Sequence, residues 1–405
     1  MGNNLLLKNI GTLVSGNIER PLIDADAVWI EDGLIRRVGF LKDMEEKAAQ
    51  TVIDCAGTTV TPGLIDSHVH PVLMDFSPRQ KQTDFLESEV HGGVTTAISA
   101  GEVHLPGRPT DPAGVKALAV LAAKSFAKFR PGGMKVIGGA VILEKGLVEK
   151  DFEEMAREGV RVVGEIGLGS IKAPEEAAPM VQWARKNGMT VMMHTGGTSI
   201  PGSSTVTAED VLKADPDIVS HLNGGPTAVS MEEVAKLIIQ TSMALEIVHC
   251  GNPKVAVEAA ELIVKHKALH RLIIGNDAPS GTGVVPLGVL RVLNLLAGLS
   301  PITPEQALCM ATGNTARVYK LNRGFIGEGR EADLVVMDAP LGSVGKDALS
   351  AIAAGDNPGV SLVLVDGKIV VNTSRNTPPA TRKPTLQGHR LTPMALQGSG
   401  IRGVR

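Results

Sequence analysis

Aromatic side chains are nearly missing from this chain: Phe, Trp and Tyr together make up 2% of 405 residues. Stacking platforms for nucleic-acid bases need such rings, and a formal net charge of −3 supplies no basic footprint for phosphates. A nucleic-acid partner is therefore excluded. Cysteine is equally sparse, with only Cys55, Cys250 and Cys309, none in C-x-x-C spacing. That set builds no disulfide framework and suits a reducing compartment. Long hydrophobic runs are absent too, so nothing in the sequence spans a bilayer. The first residues, Met1 to Lys8, lack the basic region and cleavage site of a secretory signal. The expectation is a soluble cytoplasmic protein with no membrane partner.

What the chain does contain is apolar material, 43% of its residues, enough for one large core and a smaller one. The first sixty residues read as short strands, with Asp32-Gly33 as a hairpin turn between Ala27–Ile30 and Leu34–Val38. The same texture returns at Ala332–Met337 and Ser361–Val365, where Asp366-Gly367 marks a second hairpin. One small β-sandwich domain built from both chain ends is the economical reading. Between them, eight candidate strands alternate with helical stretches: Leu64–Val69, Val94–Ser99, Met134–Ile142, Val160–Ile166, Met189–His194, Asp217–His221, Met243–His249 and Leu269–Asn276. Helical patterns lie at Ala113–Phe129, Pro174–Asn187, Ser230–Thr241 and Pro253–His266. Such alternation implies parallel strands with right-handed crossovers. Eight repeats fit an α/β, TIM-like (β/α)8 barrel; the rival, a doubly wound sheet, lacks a G-x-G-x-x-G after its first strand. The expected divisions are 1–60 and 323–374 for the two parts of the sandwich, and 61–322 for the barrel. Residues 375–405, without an acidic side chain, read as a C-terminal tail with no core of its own.

Chemistry gathers where the strands end. His68 and His70 close the run Thr61-Pro62-Gly63-Leu64-Ile65-Asp66-Ser67. Two residues apart on a strand, they project from one face, as paired metal-binding imidazoles do. Glu165 ends the fourth candidate strand, His194 the fifth, His221 the sixth, and Asp277 follows the eighth. Singly, each has a bland reading: a hydrogen-bonded core histidine, a helix cap, a turn residue. Jointly, six ligand-type side chains at one end of a barrel read as a metal site, and barrel active sites lie at that end. His249 ends the seventh strand, either stabilising the tetrahedral oxyanion or orienting the substrate carbonyl, or else serving as a hydrogen-bonding partner behind the site. Small residues around Thr195, Gly196 and Asn223 offer backbone N–H groups for a substrate carboxylate. His104 and Lys254 read as surface loop residues, and Cys250 as a small packing residue near the mouth.

The segment Pro62-Gly63-Leu64-Ile65-Asp66-Ser67-His68-Val69-His70, the single histidines on strands five and six, Asp277, and Ala311-Thr312-Gly313-Asn314-Thr315-Ala316-Arg317 resemble the amidohydrolase superfamily over nearly the whole chain. The resemblance implies that His68, His70 and Asp277 hold one metal ion and His194 and His221 a second. A strand-four group would bridge them. In many relatives that group is a carboxylated lysine; here Glu165 matches the position, and Lys172 in the following loop is the alternative. A direct glutamate bridge narrows the field, and the resemblance to members that have one implies hydrolysis of a cyclic amide, an Fe(2+)–Zn(2+) pair and a homotetramer. It also implies that Asp277 carries the proton from water to the leaving nitrogen. Dihydroorotase-like or imidazolonepropionase-like ring opening, heterocycle deamination and a non-catalytic scaffold are the other readings.

Overall fold

The computed structural model describes residues 4–71, 78–105, 107–200, 202–279 and 283–388. Eight strands follow one another around a ring: Leu64–Val69, Val94–Ser99, Lys135–Ile137, Val162–Ile166, Thr190–Met193, Ile218–Val219, Ala244–Val248 and Leu272–Gly275. We number them one to eight. Strands one to three pair in parallel, as do four to eight. Parallel bridges Val141–Val163 and Val69–Ala278 link these two groups, so the barrel closes. Alternation along each strand sorts the side chains. Val163, Val191, Leu245 and Ile274 point outward onto the helices. Ile65, Ile98, Val162, Met192, Ile218, Ala244 and Ile273 fill the interior, joined by Ala316 and Tyr319.

The helices form where the sequence places starts for them. Asp111 caps Pro112–Phe126 by accepting from the Gly114 amide, with Pro112 in the first turn. Ser230 and Glu233 make a reciprocal capping box on Met231–Gln240, and Asn252 caps Pro253–Lys265. Among the described residues, no helix is long and apolar enough to cross a membrane.

Several strands are shorter than the apolar runs suggest. The third ends at Ile137 because Gly138-Gly139 follows. Gly139 has φ +81°, and a Cβ there would lie 2.2 Å from the Ala119 carbonyl oxygen. Leu269–Arg271, expected in strand eight, is instead a 3-10 turn.

Two further sheets draw strands from both chain ends. One has five strands: Asn4–Lys8, Ala27–Glu31, Leu34–Gly39, Thr51–Asp54 and Thr385–Gly388. The other has six: Thr12–Val14, Leu22–Ile23, Thr59–Pro62, Leu334–Asp338, Gly359–Val365 and Lys368–Asn372. Leu7, Ile30 and Ile53 of the first meet Leu13, Val60, Leu334 and Leu364 of the second in one buried cluster. Both hairpins turn as read, with positive φ at Asp32 and Gly33 and at Asp366 and Gly367. Residues 375–388, assigned above to a tail, are built into the structure. Thr385–Gly388 pairs antiparallel with Thr51–Asp54, and Arg382 grips the buried Asp338 carboxylate at 2.6 and 2.9 Å. Composition shows the lack of a core but not the edge strand that a short segment can join. Residues 389–405 of that tail lie outside the described residues.

Candidate metal centre and active site

The six ligand-type side chains of the sequence reading meet at the C-terminal mouth of the barrel, all between 0% and 6% exposed. They form two groups. His68 Nε2 lies 3.3 Å from His70 Nε2, and Asp277 Oδ1 lies 3.6 and 3.2 Å from the same two nitrogens. His194 Nδ1 lies 3.1 Å from His221 Nε2. Glu165 stands between the groups. Its Oε2 is 3.5 Å from both His68 Nε2 and His70 Nε2, while its Oε1 is 2.6 Å from His221 Nε2 and 3.8 Å from His194 Nδ1.

Regular strands alone do not deliver this arrangement. The strand one–two ladder shifts register between Asp66 and Val69, and the strand four–five ladder between Val163 and Ile166. Each irregularity re-aims a ligand-type side chain. His221 and Asp277 both take positive φ, +34° and +59°, unusual for residues carrying a Cβ. Close approach also has to be allowed. A Cβ on Gly275 would sit 2.8 Å from His68 Cβ, so strand eight passes His68 only as glycine.

The hydrogen bonds show why a cation fits. His70 Nδ1 lies 2.9 Å from the Gly101 carbonyl, and His194 Nε2 lies 2.9 Å from the Gly197 carbonyl. A carbonyl only accepts, so these nitrogens carry the protons and the inner nitrogens present lone pairs. His68 Nδ1 is likewise committed, 2.8 Å from Glu246 Oε2. Inner lone pairs and carboxylate oxygens then crowd together without protons to separate them, and a shared positive charge resolves the conflict. The fields agree. Burial disfavours a charged His68, yet Glu246, Glu165 and Asp277 together hold its pKa well above the usual histidine range. Burial likewise opposes ionisation of Glu165 and Asp277, but the surrounding histidines, His68 first, hold both carboxyls below their ordinary values. A nitrogen–oxygen donor set without thiolate suits a divalent metal ion.

Behind the mouth, Asp66 Oδ1 accepts from the amides of His68 and Asn276 at 3.0 and 2.9 Å, tying strand one to strand eight. Burial pushes this carboxyl up to about 6. Glu246, in the middle of strand seven, was not singled out by sequence reading. The signal was present: a carboxylate inside Ala244-Leu245-Glu246-Ile247-Val248 needs a partner as much as Glu165 does.

Above the ligand-type residues lies a cavity of about 320 Å³, walled by Val103, His104, Leu168, Ser199, Ile200, Gly225, Pro226 and Cys250. His104, read as a surface residue, stands here with its ring edge-on to His70 at 5.4 Å between centroids. Burial, then the neighbouring His70, lowers its pKa. His249 is not among the cavity-lining residues. It follows Val248 on strand seven, where alternation sends Glu246 inward and Leu245 and Ile247 outward. Burial, and then the charge of Arg291 on the outer helix Gly288–Leu299, lower the pKa of its imidazole, and Cys250 takes the inward place. Of the loop amides expected to meet a substrate carboxylate, that of Gly196 already donates to the Val206 carbonyl at 3.0 Å and that of Gly197 to Thr227 at 3.1 Å. The Thr195 hydroxyl donates to the Ser220 carbonyl at 2.6 Å. Asn223 clasps both backbone groups of Val248. Lys172 is exposed, its Nζ donating to the Gly202 carbonyl, away from the histidines. Lys254 is exposed beside Glu258.

A profile of the amidohydrolase family matches residues 59–370. Enamidase of Eubacterium barkeri is 60% identical over 377 residues, covering 93% of this chain and 98% of that one. Imidazolonepropionase of Geobacillus sp. (strain WCH70) is 21% identical over 383 residues, covering 80% and 86%. The crystal structure of enamidase, described as a new member of the amidohydrolase superfamily, superposes with a TM-score of 0.92 at 58% identity, covering 95% of this chain and 100% of that one. An amidohydrolase from a Sargasso Sea environmental sample shares the fold, with a TM-score of 0.65, 19% identity and coverage of 92% and 93%. Agreement of this extent, over the barrel and the sheets beside it, fixes the kinship: the chain belongs to the amidohydrolase family.

Proposed function

We propose that this protein hydrolyses 6-oxo-1,4,5,6-tetrahydronicotinate, a cyclic enamide, to 2-formylglutarate and ammonia in nicotinate degradation. As a member of its family it is a metal-dependent hydrolase acting on carbon–nitrogen bonds in cyclic amides. The observation that carries the reading is Glu165, whose two oxygens divide between the two histidine groups. In this reading His68, His70 and Asp277 hold one divalent ion, His194 and His221 the other, and Glu165 bridges; likeness to enamidase points to Fe(2+) and Zn(2+). Such a pair supplies Lewis acidity and a nucleophile at neutral pH. Asp277, reaching the cavity floor, accepts the proton of the attacking water and delivers it to the ring nitrogen as the amide bond breaks. A second water then converts the resulting enamine, through its imine, to the aldehyde and ammonia. The cavity, at the small end of the ordinary range for ligand sites, suits a single substituted ring.

The same reading takes the two mixed-origin sheets as one β-sandwich beside the barrel, and the molecule as a cytoplasmic homotetramer. The test is an assay of the purified, metal-loaded protein in which ring opening and ammonia release are followed separately. Turnover of 6-oxotetrahydronicotinate with both signals is expected. Turnover of imidazolonepropionate or dihydroorotate in its place would transfer the site to another ring.

A further inference from the structure

Glu246 lies in the middle of strand seven with no exposed surface. A carboxylate at such a depth is costly unless donors surround it. Three do, and they come from two other strands. Oε1 accepts from the Ser67 hydroxyl at 2.5 Å. Oε2 accepts from His68 Nδ1 at 2.8 Å and from the His221 backbone amide at 3.2 Å. The Glu246 carbonyl also accepts from the Leu222 amide at 2.6 Å. Strand seven contributes none of the six ligand-type residues, yet this one side chain reaches a member of each histidine group.

We infer that Glu246 is a positioning residue for the whole metal centre, holding His68 through its ring and His221 through its backbone. The inference rests on the metal-centre reading above. The bond to Nδ1 of His68 keeps the proton on that nitrogen and turns the Nε2 lone pair toward Asp277 and Glu165. The bond to the His221 amide restrains a residue at φ +34°, a conformation uncommon for residues that carry a Cβ. His68 belongs to one proposed ion site and His221 to the other. A single carboxylate therefore sets the geometry of both. A plain structural strut would have different consequences: losing it would lower the stability of the metal-free protein and leave metal affinity alone once the chain is folded.

The test uses Glu246→Gln, which keeps the volume but replaces the anionic oxygen shared by His68 Nδ1 and the His221 amide with a neutral, weaker amide acceptor. The metal-free full-length protein is titrated with Zn(2+) alone against a chromogenic chelator, and its fold is followed by circular dichroism. The expected result is a native spectrum with affinity weakened about 10- to 100-fold at both positions. Ser67→Ala, which removes one donor and spares the contacts to His68 and His221, is expected to bind Zn(2+) as the parent does. Unchanged affinity in Glu246→Gln, weakening at one position only, or an equal loss in Ser67→Ala would each overturn the inference. Should Glu246→Gln fail to fold, Glu246→Asp decides. Its shorter arm keeps the charge but draws the shared oxygen back from His68 and His221, so parental affinity in that variant would refute the assignment. His68→Ala serves as the separate check on the metal-centre reading. If that variant still binds two Zn(2+), the centre itself is misplaced, and the failure lies there rather than with Glu246.

Discussion

At the scale of single residues, the arrangement turns on which group stands between the two pairs of histidines. Glu165 is buried with one oxygen toward each group, whereas Lys172 lies exposed with its ammonium on the Gly202 carbonyl. Glu165→Gln keeps the shape but removes the charge that the two proposed ions would share. Elemental analysis is expected to find clearly fewer than two metal ions per chain, with turnover reduced at least about 100-fold, in line with the loss of a positioned carboxylate. Lys172→Met is expected to keep full metal content and activity. Two ions in Glu165→Gln and a deficit in Lys172→Met would reverse the assignment. The six ligand-type residues were legible in the sequence because each ends an apolar run, and an expensive polar group at the end of a buried strand has to be accounted for. The same rule, applied to the interior of a run, would have found Glu246. His249 misled because the position at a strand's end carries no information about which face the side chain takes. The register shifts at strands one and four and the positive φ values at His221 and Asp277 leave no trace in hydrophobic periodicity.

At the scale of elements, barrel strand three is fastened to the sheets by charge. Lys135 Nζ lies 2.6 Å from Glu331, 2.8 Å from Asp333 and 2.6 Å from Asp366, and Arg130 reaches Asp366 at 2.9 Å. These three carboxylates cluster closely enough to suggest a further ion site, but the ammonium of Lys135 already occupies their centre. Burial raises the Asp333 carboxyl despite the pull of Lys135. For Glu331 and Asp366, burial is outweighed by their cationic partners and the carboxyls fall below the ordinary range. Lys135→Met takes from the buried Asp333 its cation at 2.8 Å and leaves it with Arg323 at 4.0 Å, a loss of about 3 kcal/mol by comparison with other broken buried pairs. The sign with pH follows. Depressed carboxyls contribute stability above their unfolded values and lose it as pH falls through the folded ones. Without Lys135 that contribution shrinks and Asp333 accepts a proton more readily. The gap in melting temperature between parent and variant is therefore expected to be widest near neutrality and to narrow toward pH 4; a gap that grows on acidification would contradict the network. The helices and hairpins of this scaffold could be read directly, because capping residues and Asp-Gly turns act locally. The lengths of strands three, six and eight could not, since packing against neighbours decides where an extended run stops.

At the scale of the whole molecule, the six ligand-type residues come from strands one, four, five, six and eight or the turns after them, so binding there draws most of the ring together. The barrel also has apolar packing of its own. Ile65, Ile98, Val162, Met192, Ile218 and Ile273 fill the interior beneath the site, and a separate cluster packs the strands onto the helices. This division was legible in outline, because eight apolar runs alternating with amphipathic stretches imply a barrel whatever ends the strands. The joining of residues 385–388 to the first sheet was not, since that pairing is set by a partner strand more than three hundred residues away. Extraction of the metal by a chelator is accordingly expected to abolish turnover while leaving the circular dichroism spectrum at 25 °C unchanged. The melting temperature should fall, because each ion stabilises the folded chain by about 4 kcal/mol at a thousandfold excess over its dissociation constant. Restoring divalent metal should recover both properties together. Collapse of the secondary structure on chelation would mean that the ions support the barrel itself. The crowded lone pairs of His68, His70, His194 and His221 would then serve folding rather than hydrolysis.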